Sequence, residues 1–105
     1  MMARVETLVA LRAAQIIGTA SLGPGANDPA IALRSFFVDP EVQRCGVGRA
    51  LLGRLEDRAR AQGLLDLPVR SSLAGVPFYR ALGFAALHDI WEGDERTVQM
   101  RKPLA

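Results

Sequence analysis

One passage in the middle of the chain restricts the fold more than any other. Ala30 to Val38 reads Ala-Ile-Ala-Leu-Arg-Ser-Phe-Phe-Val, stops at Pro40, and gives way within a few residues to Gly46-Val47-Gly48 and an amphipathic run. Alternation puts Ile31, Leu33, Ser35 and Phe37 on one face of a strand, and Pro40 ends it by lacking a ladder donor. From Gly46 to Gln62, Val47, Ala50, Leu51, Leu55 and Ala59 recur at spacings of three and four, which predicts a helix with Gly63 as its C′ residue. A strand entering a helix through two glycines lets the backbone approach a ligand closely and turns several N–H groups towards it. The helix N-terminus adds unpaired donors and about half a positive charge. Gln43-Arg44-Cys45-Gly46-Val47-Gly48-Arg49 is therefore a candidate pyrophosphate cradle; the alternative is a tight turn that needs small residues. It has neither the Gly-Lys-Ser/Thr ending of a nucleotide P-loop nor the three-glycine dinucleotide spacing, which disfavours ATP and NAD.

The flanking segments supply a sheet. Val5 to Leu11, with Val5, Thr7, Val9 and Leu11 on one face, and Gln15 to Leu22 read as a hairpin through Arg12-Ala13-Ala14. Gly23-Pro24-Gly25-Ala26-Asn27-Asp28-Pro29 is a loop. Leu64 to Arg70 reads as a strand despite Pro68, which implies an edge, a bulge or a local departure from its neighbour. A short helix spans Pro77 to Leu82 and stops at Gly83. Phe84 to Ile90 and Thr97 to Arg101 form a last antiparallel pair through Glu92-Gly93-Asp94-Glu95. The order ββ-β-α-β-α-ββ is that of a single α+β domain over 1–105.

Composition excludes other classes. With 105 residues, half of them hydrophobic, the chain can bury one modest core. Thirteen basic against eleven acidic side chains leave a formal charge of +2, too little for a nucleic-acid-binding field, so any anion site must be local. One cysteine permits no intrachain disulfide, and no Cys/His cluster has metal-ligand spacing, so we expect no metal and a reducing, cytoplasmic setting. No apolar run approaches the roughly 18 residues of a membrane span, and no membrane partner is expected.

The second stretch of chemical interest is Gly75-Val76-Pro77-Phe78-Tyr79-Arg80-Ala81-Leu82-Gly83-Phe84. Phe78 and Phe84 read as core. Tyr79 is the chain's one tyrosine; a lone phenol on a short helix is commonly a core side chain with a satisfied hydroxyl.

Taken together, Phe36-Phe37-Val38-Asp39-Pro40, then Gln43-x-x-Gly46-x-Gly48, a helix with Leu51-Leu52, and Phe78-Tyr79-x-x-x-Gly83-Phe84 resemble the acyl-CoA-binding half of the GNAT superfamily of N-acetyltransferases. The closing Met100-Arg101-Lys102-Pro103-Leu104 is similar to the end of many small members. The resemblance implies a mixed, mostly antiparallel sheet, without the family's usual N-terminal strand and two helices. It implies that backbone N–H groups of the cradle receive the CoA pyrophosphate, that Phe36, Phe37 and Val38 bond the pantetheine arm as an added strand, and that the neighbouring strand splays away to admit it. It also implies direct acyl transfer from acetyl-CoA to a primary amine of a small molecule or peptide. The thioester carbonyl would be polarised by a main-chain N–H near Val38, and Tyr79 would protonate the departing thiolate.

Cys45 is then a small residue of the turn and not a nucleophile. The general base is not identified: some members carry a glutamate on the third strand, where this chain has only Arg34. His88, Asp89 and Glu92 could act through water but read as surface groups. Arg54, Arg58 and Arg60 read as a solvated helix face with an outside reach to the CoA 3′-phosphate. The missing N-terminal elements predict an uncovered sheet edge and apolar surface, which a homodimer would cover. A non-catalytic acyl-CoA-binding or protein-interaction module is the competing expectation.

Overall fold

A computed structural model describes residues 6–25, 30–42 and 46–104. Six strands and two α-helices follow in the order β1 (Glu6–Arg12), β2 (Gln15–Gly23), β3 (Ala32–Val38), α1 (Val47–Ala61), β4 (Asp66–Ser72), α2 (Val76–Ala81), β5 (Ala85–Glu92) and β6 (Glu95–Pro103). Short 3-10 turns occupy Pro40–Val42 and Leu73–Gly75. The expected α+β order holds. The strands form one mixed sheet in the order β1-β2-β3-β4-β6-β5, antiparallel throughout except for β3 against β4.

Local chemistry explains the element ends. Gly63 takes φ +84°; its N–H bonds the Arg60 carbonyl and that of Leu64 the Ala59 carbonyl, a Schellman close in which the glycine suffers no Cβ penalty. Gly83, at φ +101°, ends α2 in the same way, with N–H bonds from Gly83 to Arg80 O and from Phe84 to Tyr79 O. Because Leu64 is used in that close, β4 starts and ends two residues later than the sequence pattern suggests. The first hairpin turns on Ala13 and Ala14 alone, both at positive φ, and the last on Gly93 and Asp94, so both connections are shorter than expected and the strands longer.

Both helices lie on one face of the sheet and share one core. Leu22, Leu52, Leu55, Leu67 and Met100 are fully buried there, each stabilising the fold by about 1.5–3 kcal/mol. On α1 the buried stripe is Leu51, Leu52, Leu55, Glu56 and Ala59, while Ala50, expected inward, is exposed. Lys102 reaches from β6 to the buried Glu56 carboxylate at 2.6 Å, which holds the end of the chain to the helix. In β1, Leu8 and Ala10 pack under α1, so the Thr7-Val9-Leu11 face looks away from the helices and is exposed. Gly18 makes this packing close: a Cβ there would stand 2.8 Å from Leu51 Cδ1 and 3.2 Å from the Phe37 carbonyl.

Candidate active site

β3 and β4 run side by side at only one registered pair, Leu33 with Val69, whereas β4 and β6 pair along seven residues from Asp66 to Ser72. Beyond Leu33 the two parallel strands diverge, and no registered pair joins Phe36 or Phe37 to β4. Pro68, paired opposite Arg101 of β6, therefore sits beside a real departure between neighbours. The diverging stretch of β3 at Phe36 and Phe37 is backbone that an amide-containing chain can join by β-type hydrogen bonds.

The divergence opens beside the start of α1. Gly46 is the N-cap at φ +81°, with no side-chain cap and no acidic residue in the first turn. The first helical bond runs from Ala50 N to Gly46 O, so the first-turn N–H groups of Val47, Gly48 and Arg49 have no carbonyl within the helix. Gly48 faces the end of β3: a Cβ there would lie 3.4 Å from Val38 and 3.6 Å from the Phe36 ring. Among the described residues no protein atom stands within 4 Å of the Cβ position at Gly46. Gln43, Arg44 and Cys45 lie outside the described residues.

Tyr79 is brought to the same place by α2. Its ring meets Phe78 at 5.3 Å, Phe84 at 5.5 Å and Phe36 at 6.5 Å between centroids, each in edge-on geometry. The Schellman close at Gly83 fixes the turn that carries it, and Phe84 anchors that close in the core. Among the described residues the Tyr79 hydroxyl has no hydrogen-bond partner, and burial pushes its pKa above the usual 10.0. Arg49 reaches from α1 to the Ala81 carbonyl at 3.4 Å, which links the helix start to the end of α2.

Phe78, expected in the core, is 42% exposed, because a six-residue helix with no buried residue of its own cannot bury two adjacent rings. It lines a cavity of about 240 Å³ with Phe36, Phe37, Val38 and Pro40, at the open end of β3. Of the residues singled out from sequence, Phe36, Phe37, Val38, Gly46, Val47, Gly48, Arg49 and Tyr79 thus belong to one neighbourhood. Phe78 and Pro40 were missed as cavity walls; the only sequence signal was their position beside residues already chosen.

Most of the remaining candidates are engaged in hydrogen bonds or ion pairs. Arg34 donates to the Gly23 and Ala30 carbonyls and braces the two ends of the loop between β2 and β3, most of which lies outside the described residues. Asp89 pairs with Arg96 and Glu92 with Arg70, while His88 is exposed on β5. Arg58 holds Glu6, and Arg60 holds Asp57 and the Leu104 carbonyl; Arg54 stands by a groove beside β1, away from the Tyr79 cluster. Among the described residues no group of three His, Cys, Asp or Glu side chains could hold a metal, and no helix is long and apolar enough to cross a membrane.

A strand that leaves its parallel neighbour next to a glycine-opened helix without a side-chain cap offers main-chain donors to an extended anionic ligand. The sequence matches the acetyltransferase (GNAT) domain family over residues 1–104, and the chain belongs to that family. It is 30% identical to an IAA acetyltransferase of Azospirillum brasilense over 105 residues, covering 95% of this chain and 69% of that one. The crystal structure of nourseothricin acetyltransferase superposes with a TM-score of 0.81 at 23% identity, over 96% of this chain and 66% of the other. An aminoglycoside 6′-N-acetyltransferase complexed with coenzyme A gives 0.80 at 13% identity, over 96% and 73%. At these identities the two structures establish the shared fold.

Proposed function

We propose that the protein is an acyl-CoA-dependent N-acyltransferase that moves acetyl from acetyl-CoA directly to a primary amine of a small molecule or peptide, as a cytoplasmic homodimer. The observation that carries this reading is the convergence of three features at one end of the sheet: the stretch of β3 at Phe36 and Phe37 that has left β4, the start of α1 without a side-chain cap, and the Tyr79 phenol half-buried among aromatic rings. Acetyl-CoA supplies an activated acyl group and a thiolate leaving group.

The chain's own residues then divide the work. First-turn N–H groups from Val47 to Arg49 hold the pyrophosphate, and the β3 edge holds the pantetheine amides in register. A main-chain N–H near Val38 polarises the thioester carbonyl. As the amine nitrogen bonds to the carbonyl carbon and the C–S bond breaks, the Tyr79 O–H gives its proton to sulfur; the proton lost by the amine returns through solvent to the phenolate. A phenol held above 10 is fully protonated at neutral pH and so always loaded as a donor. Its transfer to a thiolate of pKa near 8.5 is uphill by at least about 2 kcal/mol, so it depends on placement at the sulfur. Phe36, Phe37 and Phe78 give the cavity at the end of β3 an apolar wall beside that point.

The test is release of free CoA thiol from acetyl-CoA across a panel of primary amines, with the acylated products identified by mass. Turnover on an amine with its N-acetyl product supports the reading. Saturable CoA binding with no turnover on any amine favours a non-catalytic module.

A further inference from the structure

Of the thirteen basic side chains in the 105 residues, twelve are arginine and one, Lys102, is lysine. The difference is chemical: a guanidinium stays protonated and accepts no acyl group, whereas a lysine amine is an ordinary target of acylation. Lys102 is therefore the one side-chain amine in these residues that an acyl thioester could modify. Its setting is specific. It lies near the end of β6, opposite Leu67 of β4. Its Nζ donates to Glu56 Oε2 of α1 at 2.6 Å, and the two side chains are 25% and 11% exposed. Arg60 stands 3.9 Å from the other carboxylate oxygen, with its own side chain 46% exposed.

The stem of Lys102 lies against the end of α2. A Cβ at Gly83 would meet Lys102 Cε at 3.1 Å, and Cδ and Nζ at 3.5 Å. Gly83 ends α2 at φ +101°, and the next N–H, of Phe84, bonds the Tyr79 carbonyl. One amine thus ties β6 to α1, whose first turn holds the cradle donors, and to the turn that carries Tyr79. The Lys102 ammonium is the close counter-charge of a buried carboxylate, and Arg60 is a looser one. Removing one partner of such a pair leaves a buried charge uncompensated, which is strongly destabilising. An ammonium also has no lone pair with which to attack a carbonyl, so acylation must wait until the pair opens.

We propose that Lys102 is a guarded acylation site: the folded chain withholds its one side-chain amine from the acyl thioester, and acylation, once made, unfastens β6 and the end of α2 from α1. In that step the ammonium loses a proton to solvent and the amine nitrogen bonds to the thioester carbonyl carbon. The C–S bond breaks and the thiolate takes up a proton, leaving one amide and one thiol. The acylated nitrogen carries no charge, so Glu56 keeps its own without its close partner. The thioester as donor rests on the acyl-CoA reading above; the guarding and its consequence rest on the geometry of the pair.

Peptide mass spectrometry after incubation with acetyl-CoA at mildly alkaline pH tests the guarding, with the same chain unfolded in urea as the unguarded reference. Lys102 of the folded wild type should gain acetyl at least about tenfold more slowly than in urea, and folded Glu56→Gln should lose most of that difference. Equal rates in the two states overturn the proposal. Thermal melting tests the consequence on Lys102→Gln, an uncharged stand-in for the acetylated side chain. It should melt roughly 5–15 °C below wild type, Lys102→Arg should lie closer to wild type, and adding Glu56→Gln to Lys102→Gln should restore most of the loss. If Lys102→Gln alone does not fold, a folded double variant shows the same rescue. Lys102→Gln melting with wild type, or a loss that Glu56→Gln does not repair, overturns the proposal. None of these readouts needs turnover, so the transferase reading is judged separately, by the amine panel.

Discussion

Gly18 sets how closely α1 rests on the sheet, and through that contact where the cradle stands. A methyl group at Gly18 would lie 2.8 Å from Leu51 Cδ1, 3.2 Å from the Phe37 carbonyl and 3.3 Å from Val47 Cγ1. Leu51 can yield, but the Phe37 oxygen is backbone of the adjacent strand and Val47 is a stiff side chain in the first turn of the helix. Overpacking of this kind costs about 1–3 kcal/mol, against about 0.4–1 kcal/mol regained from a less free unfolded chain. Gly18→Ala should therefore lose about 1–2 kcal/mol, lowering Tm by roughly 5–15 °C in a domain of this size. Gly53 supplies the control. It lies on the exposed side of α1 with no atom of the described residues within 4 Å of a Cβ position, so Gly53→Ala should gain about 1 kcal/mol from helix propensity. Urea denaturation of both variants and titration with CoA measure the two effects. Gly18→Ala should also weaken CoA binding by displacing Val47, and Gly53→Ala should leave it unchanged. Equal stability of the two variants would refute the reasoning.

Tyr79→Phe keeps the ring in its aromatic cluster and removes only the hydroxyl, so kcat should fall by about 10²–10⁴-fold with CoA affinity retained; equal turnover would remove the phenol from the mechanism. Because Tyr79 is the chain's one tyrosine, the alkaline phenolate absorbance reports it alone. Its folded pKa is raised by burial, so the folded state holds the proton more tightly. The stabilisation is fully present below pH 10 and is lost as pH rises through the folded pKa. The phenol should thus titrate later in native protein than in urea, and coincident curves would contradict its burial. Gly46→Val puts a β-branched residue at φ +81°, which should cost at least about 1 kcal/mol and abolish CoA binding by setting a branched side chain at the helix start.

What could be read from the residues follows from how local each determinant is. Gly63 and Gly83 mark helix ends through their own backbone requirement, and both positions behave as the pattern implies. The Gly46–Gly48 turn and Tyr79 belong to separate segments whose joint meaning came from the resemblance, and the packing of Gly48 on Phe36 and Val38 unites them. Phe78 was misassigned because its neighbour Tyr79 competes for the same small interior and the short helix can turn only one ring inward. Alternation in β1 separates Leu8 and Ala10 from Val9 and Leu11, but which set is buried depends on α1, forty residues away in sequence. Arg34 finds its partners in the carbonyls of Gly23 and Ala30, which carry no side-chain signature in the sequence.

The central claim is that the opened edge of β3 and the start of α1 form a cofactor cradle. Isothermal titration of the purified protein with acetyl-CoA and with CoA tests it most directly. Saturable micromolar binding at one ligand per chain, lost in Gly46→Val and retained in Tyr79→Phe, is the predicted result. Absence of heat with either ligand from a folded wild-type protein would contradict the account.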